Sequence, residues 1–253
     1  MNIKELSPKS RFSNRVENYA KYRPDYPKEI ISFLSETIGL TEKHIIADIG
    51  SGTGISSKIF LDNGNKLYGI EPNREMREAG EKYLSNYTNF HSIEASSEDT
   101  TLECESIDMI ISGQAFHWFE PEATKKEFLR ILKPDGYVVL FSNRRKSSNN
   151  KFMSNYAELI SKYAQEEFSK PLNTDKAYFF DLKPIHQIIF PNPQVFDIER
   201  LKGDLVSYSY IPNEGDPKFT SMISEFENLF EKNNNNGLLK FDYETVVYYC
   251  KMK

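Results

Sequence analysis

A run of alternating small residues near position 50 has the spacing of a ligand-binding loop. Residues 45–49 form a mostly apolar segment that carries Asp48, and Gly50, Gly52 and Gly54 follow it. This pattern is typical of a buried parallel strand that opens into a loop, where glycines let the backbone approach a ligand closely. Apolar residues at 55, 59 and 60 have helical spacing. The loop is therefore expected to hold its ligand at the positive end of a helix.

Two nucleotide-binding patterns are alternatives for this loop. The nicotinamide or flavin fingerprint is Gly-x-Gly-x-x-Gly, but its last position falls on Ile55 when counted from Gly50 and on Ser57 when counted from Gly52. A phosphate-binding loop ends in Gly-Lys-Ser or Gly-Lys-Thr, and the chain contains neither triplet. The first pattern therefore fits poorly and the second fails.

The remaining form, Asp-x-Gly-x-Gly-x-Gly, is followed by further motifs at regular intervals. Residues 66–70 end in an acid at 71, residues 90–98 end in Ser-Ser-Glu, residues 107–112 are largely apolar, and residues 129–136 read Leu-Arg-Ile-Leu-Lys-Pro-Asp-Gly. Together these motifs resemble those of the class I S-adenosylmethionine-dependent methyltransferases. The resemblance implies an α/β, doubly wound, Rossmann-like fold. Its seven-stranded sheet would be mostly parallel with an antiparallel terminal hairpin, and a small helical cap would be added.

The resemblance also implies that S-adenosyl-L-methionine is the cofactor and that the glycine loop lies along its methionine and ribose portions. The residues that it assigns to this contact are Asp48, Gly50, Ser51, Gly52 and Gly54. The next motif adds Glu71 and Pro72, where a carboxylate can accept both hydroxyls of a ribose; the alternative for Glu71 is a solvated acid. Asn73 and Met76 would line the adenine, or would instead cap a helix and fill the core.

Two further motifs are assigned to the adenine and to the reacting methyl group. Ser96 and Ser97 stand where the family often has Asp-Ala before Glu98, so they are either adenine contacts or turn residues. Residues 114–119 follow the fourth strand and would face the sulfonium. The residues implied there are Gln114 as a cofactor contact, His117 as a base or polar wall, and Trp118 as an aromatic face or a core residue.

Residues 19–27, Tyr-Ala-Lys-Tyr-Arg-Pro-Asp-Tyr-Pro, carry the next most specific motif. It resembles the signature of the methyltransferase type 11 subgroup that includes trans-aconitate methyltransferase-like proteins. In that subgroup the segment covers the donor, which would place Tyr22 and Arg23 near its carboxylate, since a guanidinium binds a carboxylate in bidentate fashion. The alternative is a proline-rich segment packed on the surface. Residues 146–193 match the subgroup least and are expected to select the acceptor.

Composition narrows the class of protein. The chain has 253 residues and a formal net charge of −5, which favours one α/β domain and small-molecule partners over a broad nucleic-acid footprint. Its two cysteines, Cys104 and Cys250, are far apart, so neither a disulfide framework nor a metal site is indicated. No signal peptide or membrane-spanning stretch is evident, which favours a cytoplasmic protein that does not insert into membranes.

The elements that must position these residues follow from hydrophobic periodicity. A loose arm is expected up to residue 10, helices over 12–22, 28–39, 152–168 and 219–230, and a loop over 144–151. Residues 170–193 read as irregular, and residues 195–201 and 241–252 as the two closing strands. The expected single domain, 1–253, comprises a lid and helix over 1–40, a cofactor-binding core over 41–143, a cap over 144–193 and closing strands with a helix over 194–253.

Methyl transfer from a sulfonium is an in-line displacement, so a site that holds donor and acceptor collinear is expected rather than a catalytic triad. The function that these expectations favour is methyl transfer to a small molecule, for which a carboxylate is suggested only by one branch of the subgroup. The alternatives are a nucleic-acid methyltransferase and a non-catalytic S-adenosylmethionine-binding protein. The acceptor and the oligomeric state are not predicted.

Overall fold

The computed structural model describes residue 16 and residues 22–146, 150–164, 176–208 and 210–253. The arm expected over residues 1–10 lies outside these residues. The helix expected over 12–22 also lies outside them, apart from positions 16 and 22, and so does the end of the helix expected over 152–168.

A seven-stranded sheet forms the centre of the fold. Its strands are β1 (Ile45–Ile49), β2 (Lys66–Ile70), β3 (Phe90–Ile93), β4 (Ile107–Gly113), β5 (Leu132–Arg145), β6 (His186–Pro191) and β9 (Tyr243–Lys251). Their order across the sheet is β3-β2-β1-β4-β5-β9-β6. The first five strands in this order are parallel, whereas β9 is antiparallel to both β5 and β6. The predicted mostly parallel sheet with an antiparallel end is confirmed.

Helices cover both faces of the sheet, which explains why its central strands are apolar on both sides. Ile46 and Ala47, neighbours in β1, belong to hydrophobic clusters on opposite faces. The covering helices are α1 (Glu29–Ile38), α2 (Ile55–Asp62), α3 (Arg74–Tyr83) and α4 (Pro121–Ile131). Gly39 ends α1 in a left-handed conformation, with φ at 74°, and its N–H bonds to carbonyls of the last turn.

A second group of elements has a hydrophobic core of its own; it extends beyond the cap expected over 144–193, and from here on the name cap refers to this group. It consists of α5 (Lys151–Tyr163), α7 (Ile198–Ser207), α8 (Phe219–Glu231) and the short antiparallel pair β7 (Gln194–Phe196) and β8 (Leu239–Phe241). Between α5 and β6, the short helix α6 (Lys176–Phe179) packs Phe179 against Phe128 of α4 instead. Tyr243, the first residue of β9, belongs to the cap core and pairs with Arg145, the last residue of β5. The cap therefore stands at the carboxyl end of β5.

The strand predicted over 195–201 is wrong. Only Gln194–Phe196 is extended there, and α7 begins at Ile198 because the Asp197 side chain caps it by accepting the Arg200 N–H at 2.7 Å. Leu201 and Leu205, four residues apart, then fall on its buried face. The sheet position next to β9 is taken by β6, from a segment that we expected to be irregular.

Two further predicted elements are confirmed, and the bounds of a predicted loop differ. The closing strand over 241–252 is confirmed as β9, and the helix over 219–230 as α8. The loop expected from 144 begins later, since Arg144 and Arg145 still pair with β9. No helix among the described residues has the length and apolar character needed to cross a membrane.

Candidate active site

The site is defined by the point where the strand order reverses. β1 has β2 on one side and β4 on the other, so the connections that leave β1 and β4 cover opposite faces and open a crevice at the carboxyl ends of both strands. The glycine loop follows β1, and residues 114–118 follow β4. The two motifs that the sequence singled out therefore meet at this crevice.

The glycine loop adopts a backbone that few other residues could follow. Gly50, Gly52 and Gly54 have φ angles of 71°, 55° and 85°, in the left-handed region that favours glycine. A Cβ at position 50 would lie 2.5 Å from the Cβ of Ala115. The N–H groups of Gly50 and Ser51 both donate to the Ile70 carbonyl, at 2.9 and 3.1 Å. The loop is thus pressed against both β2 and the segment after β4.

Asp48 lies beneath this loop and is fully buried. Its Oδ2 accepts hydrogen bonds from the hydroxyls of Ser56 and Ser57 in α2, at 2.6 and 2.7 Å. Burial raises the pKa of Asp48 to about 6, although these two bonds act in the opposite direction. Among the described residues, Oδ1 has no hydrogen-bond partner, and neither has the buried hydroxyl of Thr53 in the loop. Both orphaned atoms belong to the segment where a polar ligand is expected.

Glu71 connects the end of β2 to the glycine loop. Its Oε2 accepts the Gly52 N–H at 2.9 Å, and its Oε1 accepts the Asn73 N–H at 2.8 Å. Burial raises the pKa of Glu71 above its ordinary value. Each carboxylate oxygen has a further lone pair for a ligand hydroxyl. Glu71 is therefore not a solvated acid, and its assignment to the ribose stays a prediction.

Asn73 and Met76, which follow Glu71, stabilise the fold. Pro72 is half-buried, and Asn73 caps α3 through its side-chain oxygen, which accepts the Met76 N–H at 2.9 Å. Met76 is buried, with its Cε facing the Cα of Gly52. The structure thus shows the helix-cap and core roles of Asn73 and Met76, and both also lie beside the glycine loop.

The motif after β3 is held by local hydrogen bonds. The Ser97 hydroxyl lies 2.9 Å from that of Thr124 in α4. Burial raises the pKa of the Glu98 carboxyl, but hydrogen bonds from Ser96 and Ser97 outweigh burial and hold it below its usual range. These bonds agree with turn chemistry, and the assignment of the three residues to adenine stays a prediction.

After β4 the chain turns at Gln114, whose φ is 60°. Its N–H donates to the Phe141 carbonyl and its side-chain amide to the Asn143 carbonyl, at 3.0 and 2.9 Å, so Gln114 joins the ends of β4 and β5. His117 is exposed and Trp118 half-buried in the short 3₁₀ helix Phe116–Trp118, with their ring centroids 4.8 Å apart. Both lie beside the crevice, and their catalytic roles stay predictions.

Tyr22 and Arg23 are held by the cap. The Arg23 guanidinium lies 4.3 Å from the ring centroid of Tyr208 and donates to the Ser207 carbonyl at 3.5 Å. The Tyr22 ring packs directly on Gly203 of α7. Beside them, the Asn143 side chain donates to the carbonyls of Pro24 and Asp25. The segment 22–25 therefore bridges the cap and the end of β5, and its contact with the donor carboxylate stays a prediction.

Replacing Gly203 by Ala tests this bridge. A Cβ there would lie 2.1 Å from a ring carbon of Tyr22, so the ring must move and we expect the melting temperature to fall. In a Tyr22→Ala background the same change should raise it, because Ala is favoured over Gly in a helix by about 0.5–1 kcal/mol. Thermal unfolding of the four proteins of this cycle checks the change of sign. The same sign in both backgrounds would contradict the contact.

Three contributors escaped the sequence analysis. Thr53 lies inside the predicted glycine loop, but the motif does not specify the residue type at this position, so no role was assigned to it. Gly80 lets α3 lie close to the glycine loop, because a Cβ at position 80 would lie only 2.9 Å from the Gly52 carbonyl oxygen. Asn143 accepts the Thr245 hydroxyl at 2.5 Å in addition to its contacts with residues 24–25; residues 141–144 resemble the subgroup, but no site role was predicted for Asn143.

Comparisons with known proteins agree with this geometry. Residues 47–140 match the methyltransferase-domain family. An uncharacterised methyltransferase of Schizosaccharomyces pombe is 28% identical over 249 residues, which cover 94% of this chain and 95% of the relative. A malonyl-[acyl-carrier protein] O-methyltransferase of Marinomonas is 23% identical over 237 residues, covering 86% of this chain and 84% of the relative.

Among solved structures, a putative type II methyltransferase from Anaeromyxobacter dehalogenans has the same fold. The two structures superpose with a TM-score of 0.71 at 16% identity, covering 91% of this chain and 98% of the other. The glycine loop, the buried acid at its base and the acid after β2 all lie within the part of the chain that matches the family. Residues 47–140 therefore carry a methyltransferase domain, the enzyme is an S-adenosylmethionine-dependent methyltransferase, and S-adenosylmethionine is its cofactor.

Proposed function

We propose that this enzyme methylates a small-molecule acceptor and that a carboxylate receives the methyl group. The observation that supports a small acceptor is the bridge from the cap to the end of β5. Arg23 contacts α7, and the Asn143 side chain binds the backbone at 24–25. Residues 22–25 therefore cover the edge of the sheet beside the crevice. The net charge of −5 also disfavours a nucleic-acid acceptor.

Two likenesses support a carboxylate as the acceptor. One relative is named as an O-methyltransferase that acts on a malonyl-acyl-carrier protein, and the subgroup that the sequence resembles includes trans-aconitate methyltransferase-like proteins. A carboxylate is already deprotonated at neutral pH, so its methylation requires no general base. The exposure of His117 is compatible with such a reaction.

The chain's own residues would bind and orient the reactants. When bound, the cofactor supplies a methyl group on a sulfonium whose departure needs no proton. Asp48, Glu71 and the glycine loop would fix the donor, and collinear alignment with the acceptor supplies most of the rate gain in such a site. Residues 22–25 and the cap would exclude water.

His117 could hold the proton of an acceptor that must lose one, and Trp118 could face the cationic methyl group. We propose that residues 1–253 act together as one domain.

Two measurements test this function. S-adenosylmethionine and S-adenosylhomocysteine should each raise the melting temperature, because a ligand that binds only the folded state stabilises it, whereas nicotinamide dinucleotides should not. Methyl-labelled donor, incubated with the enzyme and a cell extract, should then label the small-molecule fraction. Label in the nucleic-acid fraction would favour the nucleic-acid alternative. Donor binding without S-adenosylhomocysteine formation in any fraction would favour a non-catalytic binding protein.

A further inference from the structure

A polar cluster with four buried and two half-buried members lies where the cap meets the carboxyl end of β5. We call it the Arg145 cluster. It consists of one arginine at the end of β5, one aspartate of α7 and four tyrosines from the cap and β9: Arg145, Asp204, Tyr156, Tyr208, Tyr210 and Tyr243. None of these residues was assigned to the cofactor, and their burial requires a physical explanation.

Asp204 is compensated within the cluster. It is fully buried, and its Oδ2 accepts the hydroxyls of Tyr208 and Tyr243, each at 2.9 Å. Burial raises the pKa of Asp204, and the nearby charge of Arg23 opposes this more strongly than that of Arg145 does. Arg23 is therefore the stronger of these two counterions of Asp204.

Arg145 makes its contacts with aromatic rings and with a hydroxyl. Its guanidinium lies 4.9 Å from the ring centroid of Tyr208 and 5.9 Å from that of Tyr156, and it donates to the Tyr210 hydroxyl at 3.2 Å. In the described part of the chain it forms no ion pair, and its buried Nη1 has no hydrogen-bond partner. Arg145 is half-buried, and a charge held partly away from water without an anionic partner favours an anion beside it.

Tyr156 provides a second orphaned donor in the same cluster. Its side chain is fully buried, and its hydroxyl has no hydrogen-bond partner among the described residues. Burial raises the pKa of Tyr156 well above its usual value, so the hydroxyl keeps its proton at neutral pH. Arg145 and Tyr156 thus each contribute a donor without a partner among the described residues, and the guanidinium lies 5.9 Å from the Tyr156 ring centroid. The third orphaned atom in the cluster is Asp204 Oδ1.

The cluster is adjacent to the candidate active site. Arg145 follows Asn143 by two residues in β5, so both project from the same face at a separation of about 7 Å along the strand. Asn143 in turn accepts the Gln114 side chain at the end of β4. A molecule that extends from the crevice along the end of β5 would reach Arg145.

We propose that Arg145 and Tyr156 bind an anionic group of the acceptor, a carboxylate or a phosphate, and thereby select anionic small molecules for methylation. This assignment rests on the proposed function, because it names the class of acceptor for the same site. Arg145 is then a specificity-determining residue, whereas Asp204 and Arg23 hold the surrounding side chains in place.

Glutarate and inorganic phosphate are suitable probes, because the acceptor is unidentified. Titration calorimetry of the enzyme saturated with S-adenosylhomocysteine, at constant ionic strength, should show one of them binding. Arg145→Met keeps a stem that can pack on Tyr208 but removes the charge, and should weaken that binding about tenfold or more. The matched control is Arg144→Met, on the opposite face of the same strand and exposed, which should leave it unchanged. Whether glutarate or phosphate binds identifies the anion.

Tyr156→Phe provides a readout that a structural role would not give. Because its hydroxyl is unpaired, removing it should leave the melting temperature unchanged or higher, while the affinity for the anion falls. A purely structural tyrosine would show no loss of affinity. S-adenosylhomocysteine affinity should stay within about twofold in all three variants.

The outcomes separate the two proposals. If the wild-type enzyme does not bind S-adenosylhomocysteine, the proposed function fails. If it does, but neither anion binds, or Arg144→Met weakens binding as much as Arg145→Met, the assignment of Arg145 is wrong.

Discussion

Replacing Glu71 by Ala is expected to lower the affinity for S-adenosylmethionine at least about tenfold. The carboxylate would bind the ribose hydroxyls, and a hydrogen bond to a charged group contributes roughly 1.5–3 kcal/mol. The variant also loses the acceptor of the Gly52 and Asn73 N–H groups, so the glycine loop itself is released. We therefore expect a lower melting temperature in the absence of cofactor as well. Calorimetric titration, with circular dichroism to establish that the variant is folded, measures both effects.

Glu94 provides a matched control for Glu71. It follows β3 as Glu71 follows β2, but it is exposed and its partner is Arg77, with Oε2 2.8 Å from Nη2. An exposed ion pair contributes little, so Glu94→Ala should bind the cofactor as the wild type does. Glu71→Gln keeps one acceptor oxygen and should fall between the wild type and Glu71→Ala. A folded Glu71→Ala protein with wild-type affinity would exclude the ribose contact.

Replacing Asp48 by Asn is expected to change how stability depends on pH. The pKa of Asp48 is about 6 in the folded protein, against an ordinary value of 3.8. Between these values the folded state retains a proton that the unfolded state has lost, so the wild type loses stability as pH rises from about 4 to 6. The whole loss amounts to about 3 kcal/mol; it begins below pH 4 and is complete near pH 7. Because the amide introduced in Asp48→Asn cannot ionise, the variant should not show this loss of stability.

The test compares the free energies of unfolding of wild type and Asp48→Asn in urea at pH 4, 5, 6 and 7. Contributions of other titrating groups cancel in the difference, and so does any fixed cost of the buried amide. The difference should move in favour of the variant by about 2.4 kcal/mol from pH 4 to pH 7. Parallel pH curves would show that Asp48 is not destabilised by burial. Cofactor binding should weaken in the variant if the orphaned Oδ1 contacts the ligand.

The cofactor core could be predicted from the sequence because its signals are local. The alternating glycines require a backbone with positive φ wherever they occur, and the chain indeed adopts it at Gly50, Gly52 and Gly54. One helix and one strand separate this loop from Glu71, as in a βαβ unit. Because β1 and β2 pair in parallel, their carboxyl ends are adjacent, and Glu71 accepts the Gly52 N–H. For such features, residue type and interval along the chain are sufficient.

The cap could not be predicted in the same way. Residues 195–201 alternate like a strand, and only the Asp197 cap with apolar residues at helical spacing, Ile198, Leu201 and Leu205, signals α7. β6 is a half-exposed edge strand that lacks a strong apolar pattern. The Arg145 cluster joins distant parts of the chain through tertiary packing, and no motif marks the pairing of Arg145 with Tyr156. Periodicity indicates elements but not which of them meet.

The position of β9 has a consequence for how the protein folds. β9 follows β5 and β6 in the chain, yet it lies between them in the sheet, and among the described strands β6 pairs only with β9. Until a ribosome, at about 5–20 residues per second, has made residues 243–251, β5 has an open edge and β6 has no partner in the sheet. Such an edge readily pairs with other chains. The hazard ends only when β9 is inserted, so nascent chains that still lack β9 are the forms most prone to such pairing.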